Sequence, residues 1–180
     1  SDLEATIAYI RSKGDCFIIA DAKRGDIGNT ARKYAEAFFD RLGVDAVTIS
    51  PYMGRDSIEP FVGRKGKWAI VLGVTSNAGA KDFQFLNVNG DRPLFETVIR
   101  TVVSWTSPLD TMFVVGATHI DVLEQARAAA PDSFFLVPGV GAQGGDLDAV
   151  LDKCMTKDGG VLINSSRGIL YAGAGVDGIP

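Results

Sequence analysis

Six short apolar stretches alternate with amphipathic stretches along the 180-residue chain. Each apolar stretch has the length of a strand and ends in a polar or glycine-rich segment, while the stretches between them carry apolar residues at helical spacing. The predicted strands cover residues 16–22, 45–50, 68–74, 112–117, 134–138 and 160–164. Strands that alternate with helices in this way form parallel sheets joined by right-handed crossovers.

Two parallel α/β folds fit this order, an open doubly wound sheet and a closed barrel. No Gly-x-Gly-x-x-Gly motif follows the first predicted strand, and candidate polar groups follow nearly every strand, which favours a (β/α)8 barrel. Such a barrel needs eight strand–helix units in typically ~250 residues. We therefore expect residues 1–180 to be a single TIM-barrel domain that lacks the first two strands and the last helix.

The net charge indicates which kind of partner the protein binds, and the cysteine content indicates its compartment. A formal net charge of −4 gives no footprint for nucleic acid or an anionic membrane, so the expected partner is a small molecule. No stretch reaches the ~20 apolar residues that span a bilayer. Cys16 in the first predicted strand and Cys154 in a predicted helix are expected to be buried, reduced thiols, which suits a cytoplasmic protein.

Three charged residues close the first predicted strand at spacing i, i+2 and i+5: Asp21, Lys23 and Asp26. Side chains two apart on a strand share a face, so Asp21 and Lys23 are expected side by side. Gly25 and Gly28 let the following turn bend sharply and bring Asp26 within reach. An ion pair that closes a strand end is the simpler interpretation, and a catalytic group at the edge where α/β folds keep their chemistry is the other.

Loops after three later strands carry further candidates. A glycine-rich segment at 139–145 contains Gln143 and could surround an anion, and Arg167 follows the last predicted strand, where barrels often complete a phosphate site. Ser76 and Asn77 could bind a polar ring or cap a turn.

The number of histidines limits the kinds of metal site that the sequence can form. His119 is the single histidine of the sequence, which excludes a histidine-based metal site. An oxygen-ligand Mg²⁺ site on Asp21 and Asp26 stays open, although Lys23 between them already supplies positive charge.

The ordered pattern Asp-x-Lys-x-x-Asp-Ile-x-x-Thr at 21–30 resembles the signature of orotidine 5′-monophosphate decarboxylases. Val-Thr-Ser-Asn at 74–77, Pro-Gly-Val-Gly-Ala-Gln-Gly-Gly at 138–145 and Ser166-Arg167 are similar to further motifs of that family. The spacing of these motifs resembles the longer bacterial-type branch.

The resemblance implies a (β/α)8 barrel, a homodimer with composite sites, and decarboxylation of orotidine 5′-monophosphate to uridine 5′-monophosphate in pyrimidine biosynthesis, with no cofactor and no metal. It implies that Asp21 faces the substrate carboxylate, that Lys23 stabilises and protonates the C6 carbanion, and that Asp26 reaches the neighbouring subunit's site. The substrate-binding residues that it implies are Ile27, Thr30 (on the neighbouring subunit's ribose), Ser76 (pyrimidine), Pro138 (its pocket), and Gln143 and Arg167 (5′-phosphate).

Two other functions remain open at this point. A Mg-dependent sugar-phosphate decarboxylase of the same superfamily, such as 3-keto-L-gulonate 6-phosphate decarboxylase, shares the Asp-x-Lys-x-x-Asp core. A non-catalytic phosphate-ligand-binding barrel fragment is the second, because the family's first two strands carry an Asp and a Lys that complete its charged array, and neither strand is recognised in this sequence.

Overall fold

The structure, a computed structural model, describes residues 1–88, 90–116, 120–140 and 145–171, without the side chains of Arg167 and Leu170. Its strands are β1 Ile19–Arg24, β2 Ala46–Ile49, β3 Trp68–Val74, β4 Asn87–Val88, β5 Arg92–Pro93, β6 Thr111–Val115, β7 Phe134–Pro138 and β8 Val161–Asn164. Its α-helices are α1 Asp2–Lys13, α2 Gly28–Ala35, α3 Arg55–Ile58, α4 Leu94–Trp105, α5 Ile120–Ala129, α6 Leu147–Cys154 and α7 Ser166–Leu170.

Six of the described strands form one sheet in the order β1-β2-β3-β6-β7-β8, and β4 pairs with β5 in a separate antiparallel hairpin. The pairings of β1 with β2, β2 with β3 and β7 with β8 are parallel, as the alternation of strands and helices predicted. The predicted bounds of β3 and β7 are confirmed to the residue.

The chain divides into two compact units. The first comprises Ser1–Leu72 and Arg100–Phe113, and the second comprises Gly73–Ile99 and Val114–Pro180. In the first unit β2 is fully buried along its length, since it is paired on both sides and its residues are almost all apolar.

Helix α2 packs on this unit through Ala31 and Ala35, both fully buried, and continues as a π-helical segment from Glu36 to Arg41. In that segment the Phe39 ring meets the Phe61 ring edge to face at a centroid distance of 6.3 Å. Both rings are buried and belong to the core.

The start of β1 differs from its prediction. The sequence placed a buried strand at 16–22, whereas the structure starts the strand at Ile19, leaves Cys16 exposed and leaves 48% of the Phe17 surface accessible. Because β1 pairs only with β2 among the described strands, its apolar residues are not covered on both sides. The prediction of a buried thiol is thus wrong for Cys16.

Backbone and side-chain bonds together hold the segment before β1. The Ile18 carbonyl accepts from the backbone N–H groups of Asp45 (3.0 Å) and Ala46 (3.1 Å). The Asp45 carboxylate accepts a hydrogen bond from the Ile18 backbone N–H (2.7 Å) and pairs with the Arg11 guanidinium at 2.5 Å. Arg11 also donates to the Cys16 carbonyl. These bonds connect α1 and the start of β2 to the segment that leads into β1.

In the second unit the Arg127 side chain joins several chain segments. Its guanidinium lies 3.8 Å from the centroid of the Phe135 ring and donates to the carbonyls of Ser133, Cys154 and Gly160. Cys154 is buried, as predicted, and burial raises the pKa of its thiol. Among the described residues, no helix is long and apolar enough to cross a membrane.

Candidate active site

The Asp21–Lys23 pair lies at the carboxyl end of β1, and its predicted pairing is confirmed. The Lys23 ammonium donates to Asp21 Oδ2 at 2.6 Å, with 54% and 62% of the two side chains accessible. An ion pair this exposed contributes little to stability, which weighs against the simpler interpretation that it closes the strand end. The next cation, Arg24, lies instead over the rings of Tyr34 and Phe38.

The strand carrying the pair is bulged. Ala20 pairs with Val47 and Arg24 pairs with Ile49, so the three residues 21–23 oppose Thr48 alone. Lys23 has φ 45°, the one positive value at a non-glycine position in the part of the chain that the structure describes. A left-handed lysine costs on the order of 1–3 kcal/mol, and strain of this kind concentrates at functional sites.

Thr48 of β2 fixes both members of the pair. Its side chain is fully buried, and its Oγ1 accepts a hydrogen bond from the Lys23 backbone N–H (2.8 Å) and donates to Asp21 Oδ1 (3.0 Å). Sequence reasoning missed Thr48, because β-branched residues are ordinary in strands. The available signal was a hydroxyl inside the otherwise apolar run Ala46–Ile49.

The turn after β1 leads directly into α2. Asp26 Oδ1 accepts from the Ile27 backbone N–H at 2.8 Å, and Ile27, at the N-cap of α2, is 51% accessible. Thr30 lies exposed in the first turn of the helix. Gly25 is packed closely, since an added Cβ would lie 3.2 Å from the Ser50 Cβ. The sequence-predicted residues Ile27 and Thr30 are thus both accessible at the start of α2.

In the second unit, the loop that carries Ser76 follows β3. The Gln84 amide is bonded twice to Thr75: its Oε1 accepts from the Thr75 backbone N–H and its Nε2 donates to Thr75 Oγ1, both at 2.8 Å. Thr75 Oγ1 in turn donates to Asn77 Oδ1 at 2.6 Å. Turn stabilisation, one of the two predicted roles, therefore holds for Asn77. We name Thr75–Asn77 with Gln84 the Gln84 loop.

The residue after β6 has to be a glycine for the Gln84 loop to pack as it does. A Cβ added at Gly116 would lie 2.8 Å from the Ser76 backbone nitrogen, a distance that packed side chains do not adopt. Gln84 and Gly116 were both missed from sequence. Gln84 lies nine residues beyond Thr75, after a 3₁₀ helix at Ala78–Asp82 that sequence patterns left irregular.

The structure describes the remaining residues singled out from the sequence only in part. Pro138 is the last residue of β7 and half-buried. Gln143 and His119 lie outside the described residues, and Arg167 is placed by its backbone in α7, directly after β8.

The N-terminus of α6 is capped by its own chain. Asp146 Oδ1 accepts from the Asp148 backbone N–H at 2.9 Å, so part of the N–H array that the sequence offered to an anion is occupied. No group of three His, Cys, Asp or Glu side chains is placed to hold a metal ion within the described ranges.

A parallel α/β chain with a strained lysine–aspartate pair at the carboxyl end of a strand falls in the class of barrel proteins whose sites are built on the loops after the strands. The family model for the Orotidine 5'-phosphate decarboxylase / HUMPS family matches residues 2–177, and the chain belongs to this family.

Similar proteins agree with this assignment. Orotidine 5'-phosphate decarboxylase of Christiangramia forsetii is 53% identical over 171 residues, which is 94% of this chain and 62% of that protein. The protein of the same name from Porphyromonas gingivalis is 52% identical over 170 residues, with the same two coverages. The chain thus spans about 62% of the length of the curated relatives it matches.

The solved structure of Leishmania donovani OMP decarboxylase is 42% identical and superimposes with a TM-score of 0.83, covering 92% of this chain and 66% of that one. The predicted fold class, a (β/α)8 TIM barrel, is confirmed by this likeness, and the six parallel strands described above belong to it.

Proposed function

We propose that this protein decarboxylates orotidine 5′-monophosphate to uridine 5′-monophosphate, a carboxy-lyase step of pyrimidine biosynthesis. Support comes from membership of the family and from relatives at 52–53% identity that bear the name of this activity. The observation that carries the proposal is the Asp21–Lys23 pair, 2.6 Å apart on a strained strand end and open to a ligand.

Lys23 supplies the chemistry. When the bond between C6 and the substrate carboxylate breaks, carbon dioxide leaves and the electron pair stays on C6, where no ring position can absorb it. A fixed ammonium beside C6 stabilises that charge as it develops. Lys23 then transfers one proton to C6 and recovers a proton from water. The scheme uses no metal ion and no cofactor.

Asp21 orients the ammonium and faces the substrate carboxylate. Its Oδ2 accepts from Lys23 and its Oδ1 from Thr48, so the carboxylate is held in one orientation from two sides. A carboxylate fixed beside the scissile group favours the state in which the negative charge has moved from the substrate carboxylate to C6, next to the Lys23 ammonium.

Groups remote from C6 provide binding energy. Ser76 binds the pyrimidine, Pro138 lines its pocket, and Gln143 with Arg167 binds the 5′-phosphate. Energy gained at the phosphate can be realised at the reacting carbon, because it holds C6 against Lys23. Truncated substrates that lack the phosphate should therefore lose turnover as well as affinity.

The assembly proposed is a homodimer in the cytoplasm. Asp26 and Thr30 contribute to the neighbouring subunit's site, which agrees with the accessible position of Thr30 at the start of α2. Residues 1–180 belong to one barrel domain, and six of its strands lie in the sheet that the structure describes.

The direct test is the loss of orotidine 5′-monophosphate absorbance with EDTA present, on protein of known intact mass. Turnover that persists in EDTA is expected. Decarboxylation of 3-keto-L-gulonate 6-phosphate that EDTA abolishes would assign the sugar-phosphate activity instead. Tight binding of uridine 5′-monophosphate with neither turnover would leave a non-catalytic ligand-binding protein.

A further inference from the structure

The bulge in β1 changes how the Lys23 main chain is bonded. In a regular parallel ladder a strand N–H donates to a backbone carbonyl of the neighbouring strand. At the bulge, the Lys23 N–H donates to a side chain instead, Thr48 Oγ1 at 2.8 Å, because residues 21–23 oppose one residue of β2.

We infer that Thr48 is a positioning residue for the Asp21–Lys23 pair, an inference whose catalytic consequence rests on the proposed function. One hydroxyl holds Lys23 through its main chain and Asp21 through its carboxylate. The left-handed conformation of Lys23, φ 45°, needs such support, since strained residues persist only where their surroundings over-determine them.

The donor and acceptor count of a hydroxyl makes this arrangement specific. Thr48 Oγ1 has one hydrogen, which it gives to Asp21, and it uses a lone pair for the Lys23 N–H. Serine can make both bonds. Valine has nearly the shape of threonine and can make neither, so Thr48→Val removes the two bonds without opening a large void.

Thr48 should affect kcat rather than KM. It lies beneath the ion pair, fully buried, and is expected to set where the ammonium stands rather than to hold the nucleotide. A displacement of about 1 Å at a reacting group can cost on the order of 100-fold in rate. Thr48→Val should thus lower kcat by about 10- to 100-fold with KM nearly unchanged.

Thr111 offers a matched control. It is also a buried threonine on a strand, 1% accessible, and its Oγ1 donates to Asp110 Oδ1 at 3.0 Å, outside the charged pair. Thr111→Val deletes the same atoms from a buried strand position and should leave kcat at the wild-type value.

The experiment measures two properties of wild-type protein and of the variants Thr48→Val, Thr48→Ser and Thr111→Val. The first is kcat and KM for orotidine 5′-monophosphate. The second is hydrogen exchange of the Lys23 backbone amide, which reports the bond to Thr48 without any need for turnover. Thr48→Val is expected to lower kcat and to speed Lys23 exchange, whereas Thr48→Ser and Thr111→Val should resemble wild type in both.

Wild-type kcat in Thr48→Val, or unchanged exchange of the Lys23 amide, would overturn the inference while leaving the proposed function in place. Absence of wild-type turnover would overturn the proposed function, and the exchange measurement would still decide whether Thr48 holds Lys23. If Thr48→Val does not fold, Thr48→Ala takes its place in both measurements, with the same expected directions.

Discussion

The Asp21–Lys23 pair lies at the end of one parallel strand and the Gln84 loop follows another, yet the two are fixed in different ways. The charged pair is held from beneath by one buried hydroxyl on the neighbouring strand, and its main chain is strained. The Gln84 loop is neutral, and a side chain from its own downstream segment bonds it twice.

The difference follows from what each region has to present. Under the proposed function, a charged pair that acts on a substrate has to stay accessible, and the hydroxyl that supports this pair is itself buried. A loop proposed to bind the nucleotide needs a defined shape rather than a defined charge, and two neutral hydrogen bonds with a close backbone approach at Gly116 provide one. Changes in the first region should therefore affect kcat, and changes in the second should affect stability and KM.

Lys23→Ala provides the largest expected effect. Loss of the ammonium should reduce kcat on the order of 1,000-fold or more, since one preorganised charge-stabilising group accounts for about 100- to 1,000-fold and Lys23 is also the proposed proton donor. Thermal unfolding should shift little, because the ion pair is exposed on both sides. Lys33→Ala is the control: Lys33 pairs with Glu36 at 2.5 Å and is 65% accessible. Equal activity of the two variants would remove Lys23 from the mechanism.

Gly116→Ala tests the loop by packing alone. The added methyl would lie 2.8 Å from the Ser76 nitrogen, so we expect a loss of about 1–3 kcal/mol of unfolding free energy, measured by denaturant titration. Gly14→Ala is the control, since its Cβ would meet no atom within 4 Å. A Gly116→Ala protein as stable as wild type would contradict the close approach of the loop.

Gln84→Leu removes both bonds to Thr75 and leaves a backbone N–H unpaired. A loss of about 1–1.5 kcal/mol in nucleotide binding is expected, seen as a severalfold higher KM with kcat preserved. Gln125→Leu, an exposed glutamine on α5, should change neither constant. A fall in kcat with KM unchanged would mean that the two regions are not separate in function.

Thiol labelling compares the accessibility of one cysteine in each unit and requires no substitution. Cys16, in the first unit, is exposed and should react at once with an aromatic disulfide near pH 8. Cys154, in the second unit, is buried, and its raised pKa keeps it protonated there, so it should react only as the unit opens or as pH rises further. Simultaneous reaction of both thiols would contradict the burial of Cys154.

The sequence predicted those features that depend on local spacing. Asp21 and Lys23 stand two apart on a strand, and their contact is confirmed, although a bulge and a left-handed lysine produce it rather than a regular pleat. The bounds of β3 and β7 followed from uninterrupted apolar runs between polar segments. The parallel barrel class followed from the order of strands and helices.

Features that depend on pairing between distant segments could not be predicted. Thr48 becomes part of the site only through the register in which β1 pairs with β2. A register shift of one residue would place its side chain on the other face of the sheet. The local pattern predicted Cys16 as a buried strand residue, but the structure starts β1 at Ile19, and the segment before it is bound by Asp45, which lies 27 residues beyond Ile18. The bond of Gln84 to Thr75 likewise depends on a 3₁₀ turn that has no clear sequence pattern.

The central claim, that carbon dioxide leaves a carbanion at C6 which takes a proton from an exchangeable group, with Lys23 as the proposed donor, is tested most directly by turnover of orotidine 5′-monophosphate in deuterium oxide with EDTA present. The ammonium protons of Lys23 exchange with solvent, so the account predicts uridine 5′-monophosphate that carries one deuterium at C6 and lacks the H6 proton resonance. Product that retains the H6 resonance, or substrate that remains unchanged, would contradict it.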